Sequence, residues 1–284
     1  MFSTKEGKPI MQSQLKNRGG QAPTLRDSGR KLNLLLPKGS LQGETLEMLQ
    51  RAGYEVNGYT ETDRLYRATF RNDSELQIKI SRPQEIPVYV GMDDFYDIGI
   101  TGQDWTEEAD TAVEEILPLD YGRIDIVLAV RQERDDINTF EDLMHLADAR
   151  VPGASAFSNR IRISTEYLNI AEKYILEKTE NQIAPAILTP WKRLNTRGSY
   201  QSPITLMLSF GATEGKPPEE ADAIIDNSTS SRRTLMANEL KVIELLRESE
   251  STLIANPKSL RDPWKGAKIR EFKETLEKGL RRRR

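Results

Sequence analysis

Lys31 to Gly53 reads "KLNLLLPKGSLQGETLEMLQRAG", and inside these residues the hydrophobic period changes. Leu32 to Leu36 make a near-continuous apolar run that Pro37 stops; beyond Lys38-Gly39, Leu46, Leu49 and Ala52 recur at helical spacing until Gly53. A short apolar run of this kind belongs to a strand covered on both faces, and the following period to an amphipathic helix. Strand, glycine turn and helix in that order are the start of a parallel sheet.

The same alternation continues along the chain. "ELQIKIS" (Glu75 to Ser81) alternates as a strand, "EIPVYVGMDDF" resembles a helix opened by proline, and "YDIGITG" (Tyr96 to Gly102) is a short buried strand. A second set follows in "RIDIVLAV" (Arg123 to Val130), "RIRIST" with a helix over Tyr167 to Leu176, and "ADAIIDN" (Ala221 to Asn227). Leu240, Ile243 and Leu246, and then Ile269, Phe272, Leu276 and Leu280, predict two late amphipathic helices with "STLIANP" as a strand between them. "TPWKRLNTRGSYQSP" (Thr189 to Pro203) reads as a loop-like insertion.

With 284 residues, 37% hydrophobic and 30% charged, the chain has material for two compact lobes. A net charge of −3 supplies no bulk field for nucleic acid or an anionic membrane, so anion binding has to be local. The absence of cysteine excludes disulfides and thiol chemistry and fits a cytoplasmic protein. The first thirty residues lack the apolar core of a secretory signal and read as a flexible head. The expected division is therefore a head at 1–30, lobe I at 31–119 plus 236–284, and lobe II at 120–235.

Open α/β sheets bind ligands beyond the carboxyl ends of their strands. The residues standing there are Lys38, Gly39 and Ser40; Arg82; Thr101, Gly102, Gln103 and Asp104; and Asp226 followed by "NSTSSRRT". Hydroxyls, cations and free amides ahead of a helix make a phosphate cradle, with Asp226 placed for sugar hydroxyls or a phosphate-bound metal. Each has a plainer reading: Ser, Thr and Asp as helix caps, Lys38-Gly39 as a turn, Arg82 as half of a surface ion pair. Their common place at strand ends favours the shared cleft. His145 is given no role, and Arg281 to Arg284 read as a solvated tail.

"LNLLLPKGSLQGETLEML", "RPQEIPVYV" through "YDIGITGQDW", "RISTEYLNIAEKY", "SFGATEGKPPEEADAIIDN", "TLMANEL" and "STLIANP" occur in the order found in the ATP phosphoribosyltransferase family, and the chain resembles it from about Leu32 to about Leu280. The resemblance implies an α/β fold like that of type II periplasmic binding proteins, two lobes with the active cleft between them. It implies attack of N1 of the ATP adenine on C1 of phosphoribosyl pyrophosphate, with Mg²⁺ held mainly by substrate phosphates. In it Asp226 matches the acid on the ribose hydroxyls, and Ser228, Thr229, Ser230, Ser231, Arg232, Arg233 and Thr234 match the loop around the 5′-phosphate. Lys38, Gly39, Arg82, Gly102 and Asp104 match cleft positions on lobe I, and Glu214 lies near the sugar. Lys38, Arg82 and Asp226 carry the chemistry; no protein metal ligand is expected.

One departure stands out. The family writes its phosphate loop as Asp, three residues, Thr-Gly-x-Thr-Leu, whereas this loop runs one residue longer from Asp226 to Leu235 and has no glycine. Arg232 and Arg233 are candidates to compensate through charge-assisted contacts. A catalytically silent nucleotide-binding or phosphoribosyl-pyrophosphate-binding member, or a small-metabolite binder of the same fold, are the alternatives. Ending one helix after "STLIANP", the chain resembles the short form of the family, which works with a histidyl-tRNA-synthetase-like regulatory subunit. A homo-oligomer not inhibited by histidine on its own is the corresponding expectation.

Overall fold

Residues 30–147, 160–189, 195–197 and 202–281 are described by a computed structural model, the last-but-one segment through its backbone alone. The head expected at 1–30 lies outside the described residues except for Arg30, and so do Arg282 to Arg284. Among the described residues no helix is long and apolar enough to cross a membrane.

In the first half the chain forms β1 (Leu32–Pro37), α1 (Gln42–Arg51), β2 (Val56–Asn57), β3 (Arg67–Phe70), β4 (Asp73–Ser81), α2 (Ile86–Gly91), β5 (Ile98–Gly102), α3 (Gln103–Ala109) and β6 (Glu114–Pro118). There follow β7 (Ile124–Arg131), α4 (Phe140–Met144), β8 (Ile161–Thr165), α5 (Leu168–Lys178), β9 (Ala186–Thr189), β10 (Asn195–Arg197) and β11 (Ile204–Leu208). The last part is β12 (Ala223–Ser228), α6 (Arg233–Ala237), β13 (Leu240–Ser249), β14 (Ser251–Ala255), α7 (Pro257–Arg261) and α8 (Pro263–Arg281).

Two seven-stranded sheets result, ordered β2-β3-β4-β1-β5-β14-β6 and β10-β9-β11-β8-β12-β7-β13. In lobe I β1 lies between β4 and β5, parallel to both. Leu32, Leu34, Leu35 and Leu36 have no solvent exposure at all, the outcome that a near-continuous apolar run anticipates. One face is closed by α1 and α8, where Phe272 and Phe70 lie against the Tyr54 ring with centroids at 5.4 and 4.5 Å. Gly279 of α8 passes so close to Ala52 that a Cβ there would stand 2.8 Å from its backbone, so only glycine permits this approach. Lobe II repeats the plan with β8, β11 and β12 parallel at its centre and β7 antiparallel to β12. Two α/β lobes joined by crossing strands are the type II periplasmic-binding-protein architecture.

The segment 240–249 departs from the expected helix. It is a strand, β13, antiparallel to β7, with register shifts between Val242 and Glu244 and between Leu245 and Arg247. Each shift leaves one residue, Ile243 or Leu246, without a partner, and a bulge of this kind resets the two-residue alternation. Ile243 and Leu246 then pack on the large lobe II core, while Leu240 and Val242 join the small cluster on the other face. Two bulges three residues apart imitate a helical period. Because β13 belongs to the lobe II sheet, lobe II extends to Ser249 rather than 235, and the second segment of lobe I begins at Ser251. Of the expected insertion, Asn195–Arg197 form the edge strand β10, antiparallel to β9; Pro190 to Leu194 and Gly198 to Gln201 lie outside the described residues.

Candidate active site

The pairing of β1 with β4 sets Pro37 opposite Ser81, so the residues that follow, Lys38 and Arg82, leave the sheet side by side. The Lys38 N–H donates to the Ser81 carbonyl at 2.8 Å, and its ammonium stands 4.6 Å from the centre of the Tyr66 ring. Gly39 turns the chain at φ +93°, a conformation strained for any side chain. Arg82 is extended ahead of Pro83, as a residue before proline has to be, and exposed. Its charge reaches the other lobe: it draws down the Glu166 carboxyl, which burial pushes above its usual range.

Glu166 follows β8 and belongs to a cavity of about 240 Å³ with Glu214, Asp226, Ser228, Thr229 and Thr234. Gly211 at φ +93° and Ala212 at φ +50° fold the chain back over the end of β12 and deliver Glu214 in a single 3₁₀ turn. Asp226 is buried within β12, one residue past the end of its pairing with β8, and its carboxyl is pushed up to about 7. Desolvation is the chief cause; the Asn227 N–H and the neighbouring Thr213 hydroxyl oppose it, and the charges of Glu166 and Glu214 add to it. Its Oδ1 accepts from the Asn227 N–H at 2.7 Å.

The loop after Asp226 makes its turn without glycine. The Arg232 N–H donates to the Thr229 carbonyl at 2.9 Å, the Thr229 and Ser231 hydroxyls pair at 2.9 Å, and Arg232 adopts φ +50°. Counted back from Thr234-Leu235, Arg232 stands where the family pattern has its glycine, and it takes up the left-handed conformation that glycine would supply freely. The Arg232 and Arg233 side chains are exposed and do not line the cavity, nor does Ser231. Ser230 faces a different cavity beside Gln103 and Glu250, and Thr229 also borders one above Ser40 and Tyr121.

Asp104 is not on the cleft surface. It is 5% exposed in the first turn of α3, with Oδ1 accepting from the Ser249 hydroxyl at 2.8 Å and Oδ2 from the Tyr167 hydroxyl at 2.9 Å. Gly102 is the residue that lets this carboxylate fold back, since a Cβ there would lie 2.0 Å from Oδ1. Burial raises the Asp104 pKa, against the pull of those two hydroxyls. The Tyr167 hydroxyl in turn accepts from Asn227 Nδ2 at 3.1 Å, and the same nitrogen lies 3.3 Å from Asp226 Oδ1. Nearby, Glu108 of α3 accepts the free N–H groups of Asn169 and Ile170 at 3.0 Å, capping α5 of the other lobe, and Glu107 pairs with Arg247 and Lys173.

Five of the anticipated residues, Glu214, Asp226, Ser228, Thr229 and Thr234, thus share one cavity, and Lys38, Gly39 and Arg82 share the end of the lobe I sheet. Glu166, Thr213, Tyr167 and Ser249 were not among the sequence candidates, and Asn227 stood there only as part of the loop after Asp226. Glu166 carried a legible signal, its place directly after a strand; the others are recognisable only from their contacts.

Fold and site define a two-lobed α/β protein with a polar cleft, cationic on one side and rich in carboxylates and hydroxyls on the other. The family profile described as HisG: ATP phosphoribosyltransferase matches residues 82–278. The ATP phosphoribosyltransferase of Prosthecochloris aestuarii is 35% identical over 251 residues, 87% of this chain and 70% of that protein. That of Chlorobium luteolum is 34% identical over 250 residues, 86% of this chain and 70% of that protein. Among solved structures, the ATP phosphoribosyl transferase (HisG:HisZ) complex from Thermotoga maritima is similar in fold, with a TM-score of 0.62 at 19% identity over 88% of this chain and 99% of that one. The chain belongs to the ATP phosphoribosyltransferase family.

Proposed function

We propose that the chain joins ATP to phosphoribosyl pyrophosphate in the cleft between its lobes, giving phosphoribosyl-ATP and pyrophosphate in the first step of histidine biosynthesis. The observation that carries this reading is the cavity around Asp226, whose Glu166 feels the charge of Arg82 from the end of the lobe I sheet, in a chain of this family. In the transfer the bond from adenine N1 to the anomeric carbon forms as the bond from that carbon to the pyrophosphate oxygen breaks. Positive charge develops on the sugar and negative charge on the leaving group. Asp226 accepts hydrogen bonds from the ribose hydroxyls and opposes the charge on the ring, while Lys38 and Arg82 take the departing oxygens. The Ser228, Thr229 and Thr234 hydroxyls hold the 5′-phosphate. Alignment supplies much of the rate, since no side chain has to shuttle a proton.

Carboxylate and hydroxyl oxygens are the donors that Mg²⁺ prefers. An ion carried in on substrate phosphates would find the Asp226 and Glu214 carboxylates beside it in the cavity they share. When bound, the ion neutralises the leaving pyrophosphate. We further propose a cytoplasmic homo-oligomer that works with a regulatory subunit; the similar Thermotoga maritima structure is itself a HisG:HisZ complex, which supports this reading. The deciding experiment mixes purified protein with ATP, phosphoribosyl pyrophosphate and Mg²⁺ and follows the adduct absorbance. Absence of adduct with intact ligand binding would instead indicate the silent, binding-only member.

A further inference from the structure

Tyr167 is a fully buried polar group near the site: it has no solvent exposure, and its ring stacks on Trp105 with centroids 4.4 Å apart and planes at 23°. The hydroxyl is held from both sides. It donates to Asp104 Oδ2 at 2.9 Å and accepts from Asn227 Nδ2 at 3.1 Å, while the other Asp104 oxygen is occupied by Ser249. Asp104 itself is fixed by its own N–H, which donates to the Ser249 hydroxyl at 3.0 Å, and by the absence of a side chain at Gly102. The Asn227 side chain is therefore tied at its inner end, although the residue is exposed, and its Nδ2 is left directed toward Asp226 Oδ1. Nothing else among the described hydrogen bonds holds that amide in place.

We infer that Tyr167 is a positioning residue: its buried hydroxyl, anchored on Asp104 of lobe I, fixes the Asn227 side chain and through it the orientation of the Asp226 carboxylate toward the sugar. This rests on the proposed transfer reaction. The hydroxyl itself touches no substrate. It acts by holding a second donor, the Asn227 amide at 3.3 Å, on the same Asp226 oxygen that the Asn227 N–H engages at 2.7 Å, which narrows the orientations open to the carboxylate. A carboxylate that loses this restraint still binds a sugar, but it does so in several orientations, and the loss falls on the transition state more than on the ground state.

Tyr167→Phe preserves the ring and its stack on Trp105 and removes only the oxygen. The expected result is a fall in kcat of about tenfold, the range of one hydrogen bond to a charged group, with the KM for ATP unchanged. Asn227→Ala breaks the same link from an exposed position where folding is not at stake, and the same kcat loss is expected. In an Asp226→Asn background Tyr167→Phe should add less than twofold, because the two act through one carboxylate. Wild-type kcat in both single variants, with Asp226→Asn impaired, would overturn the inference. A readout independent of turnover is the Asn227 side-chain amide, identified in ¹⁵N-labelled protein by its loss in Asn227→Ala. Rigid in the wild type, it should become mobile in Tyr167→Phe, with an order parameter below about 0.6. A wild type that forms no adduct would refute the functional reading, and the inference would then stand or fall on this amide; an amide equally rigid in both proteins would sink it.

Discussion

The two sheets end in opposite charge. Where β1 and β4 of lobe I stop, the next residues are Lys38 and Arg82; where the parallel pairing of β8 with β12 stops in lobe II, at Thr165 and Ile225, they are Glu166 and Asp226. The environments differ as much as the signs. Arg82 is exposed and Lys38 is partly covered by the Tyr66 ring; Asp226 is buried among other acids, and ionising it is costly. A ligand spanning the cleft therefore meets solvated positive charge at one end and a desolvated, proton-hungry pocket at the other. The contrast matches a donor whose leaving group is polyanionic and whose sugar becomes positive.

The sharpest way to break that contrast is Asp226→Asn, which keeps the shape of the pocket and removes its charge. A loss in kcat of about a hundredfold is expected from steady-state adduct formation, the scale of removing one group aimed at developing charge. On the opposite wall, Arg82→Ala and Lys38→Ala should each weaken phosphoribosyl pyrophosphate by roughly 1.5–3 kcal/mol, one to two orders of magnitude in affinity by calorimetry. Rising salt should shrink the Arg82 effect more, because Arg82 is the more exposed of the two.

The pH dependence tests the acid side alone. If Asp226 works ionised, kcat/KM for phosphoribosyl pyrophosphate rises through an apparent pKa near 7 in wild type. Stability moves the other way. An Asp whose carboxyl is raised from the usual range to about 7 binds a proton in the folded chain that the unfolded chain has released. Its contribution is complete at low pH and is lost as pH climbs through that window. Asp226→Asn should flatten the slope of unfolding free energy across it, measured by urea denaturation at several pH values. The smallest effect is expected at Arg232→Gly: relieving the φ of +50° should stabilise the chain by about 1 kcal/mol. Affinity for phosphoribosyl pyrophosphate should be retained unless the guanidinium also holds phosphate, and comparison with Arg232→Ala and Arg233→Ala at two salt concentrations separates these cases.

How far such features can be read from sequence depends on what encodes them. β1 and α1 were legible because an apolar run and a helical period are local, and Asp226 because its strand is short and ends in a polar loop. β13 was not, since its two bulges write a helical spacing into a strand whose partner lies over a hundred residues earlier. Asp104 misleads in another way. A carboxylate after a strand looks like a ligand-binding group, yet both of its oxygens are taken up by Ser249 and Tyr167, and neither partner is near it in sequence. The rule that singled out Arg82 and Asp226 also covers Glu166, one residue past β8; the contacts of Tyr167 and Asn227 follow from geometry that no spacing announces.

The course of the chain has a consequence for the order in which the molecule is made. Lobe II runs without interruption from β7 to β13, whereas β14, which separates β5 from β6, arrives only after it. Until Ser251–Ala255 have left the ribosome, β6 has no neighbour in its sheet, and until α8 follows, the Leu34 and Tyr54 side of lobe I has no cover from Phe272. The lobe that begins first thus finishes last. During synthesis lobe II is the first complete folding unit, and the earlier half of lobe I has to wait, partly open, for the end of its own chain.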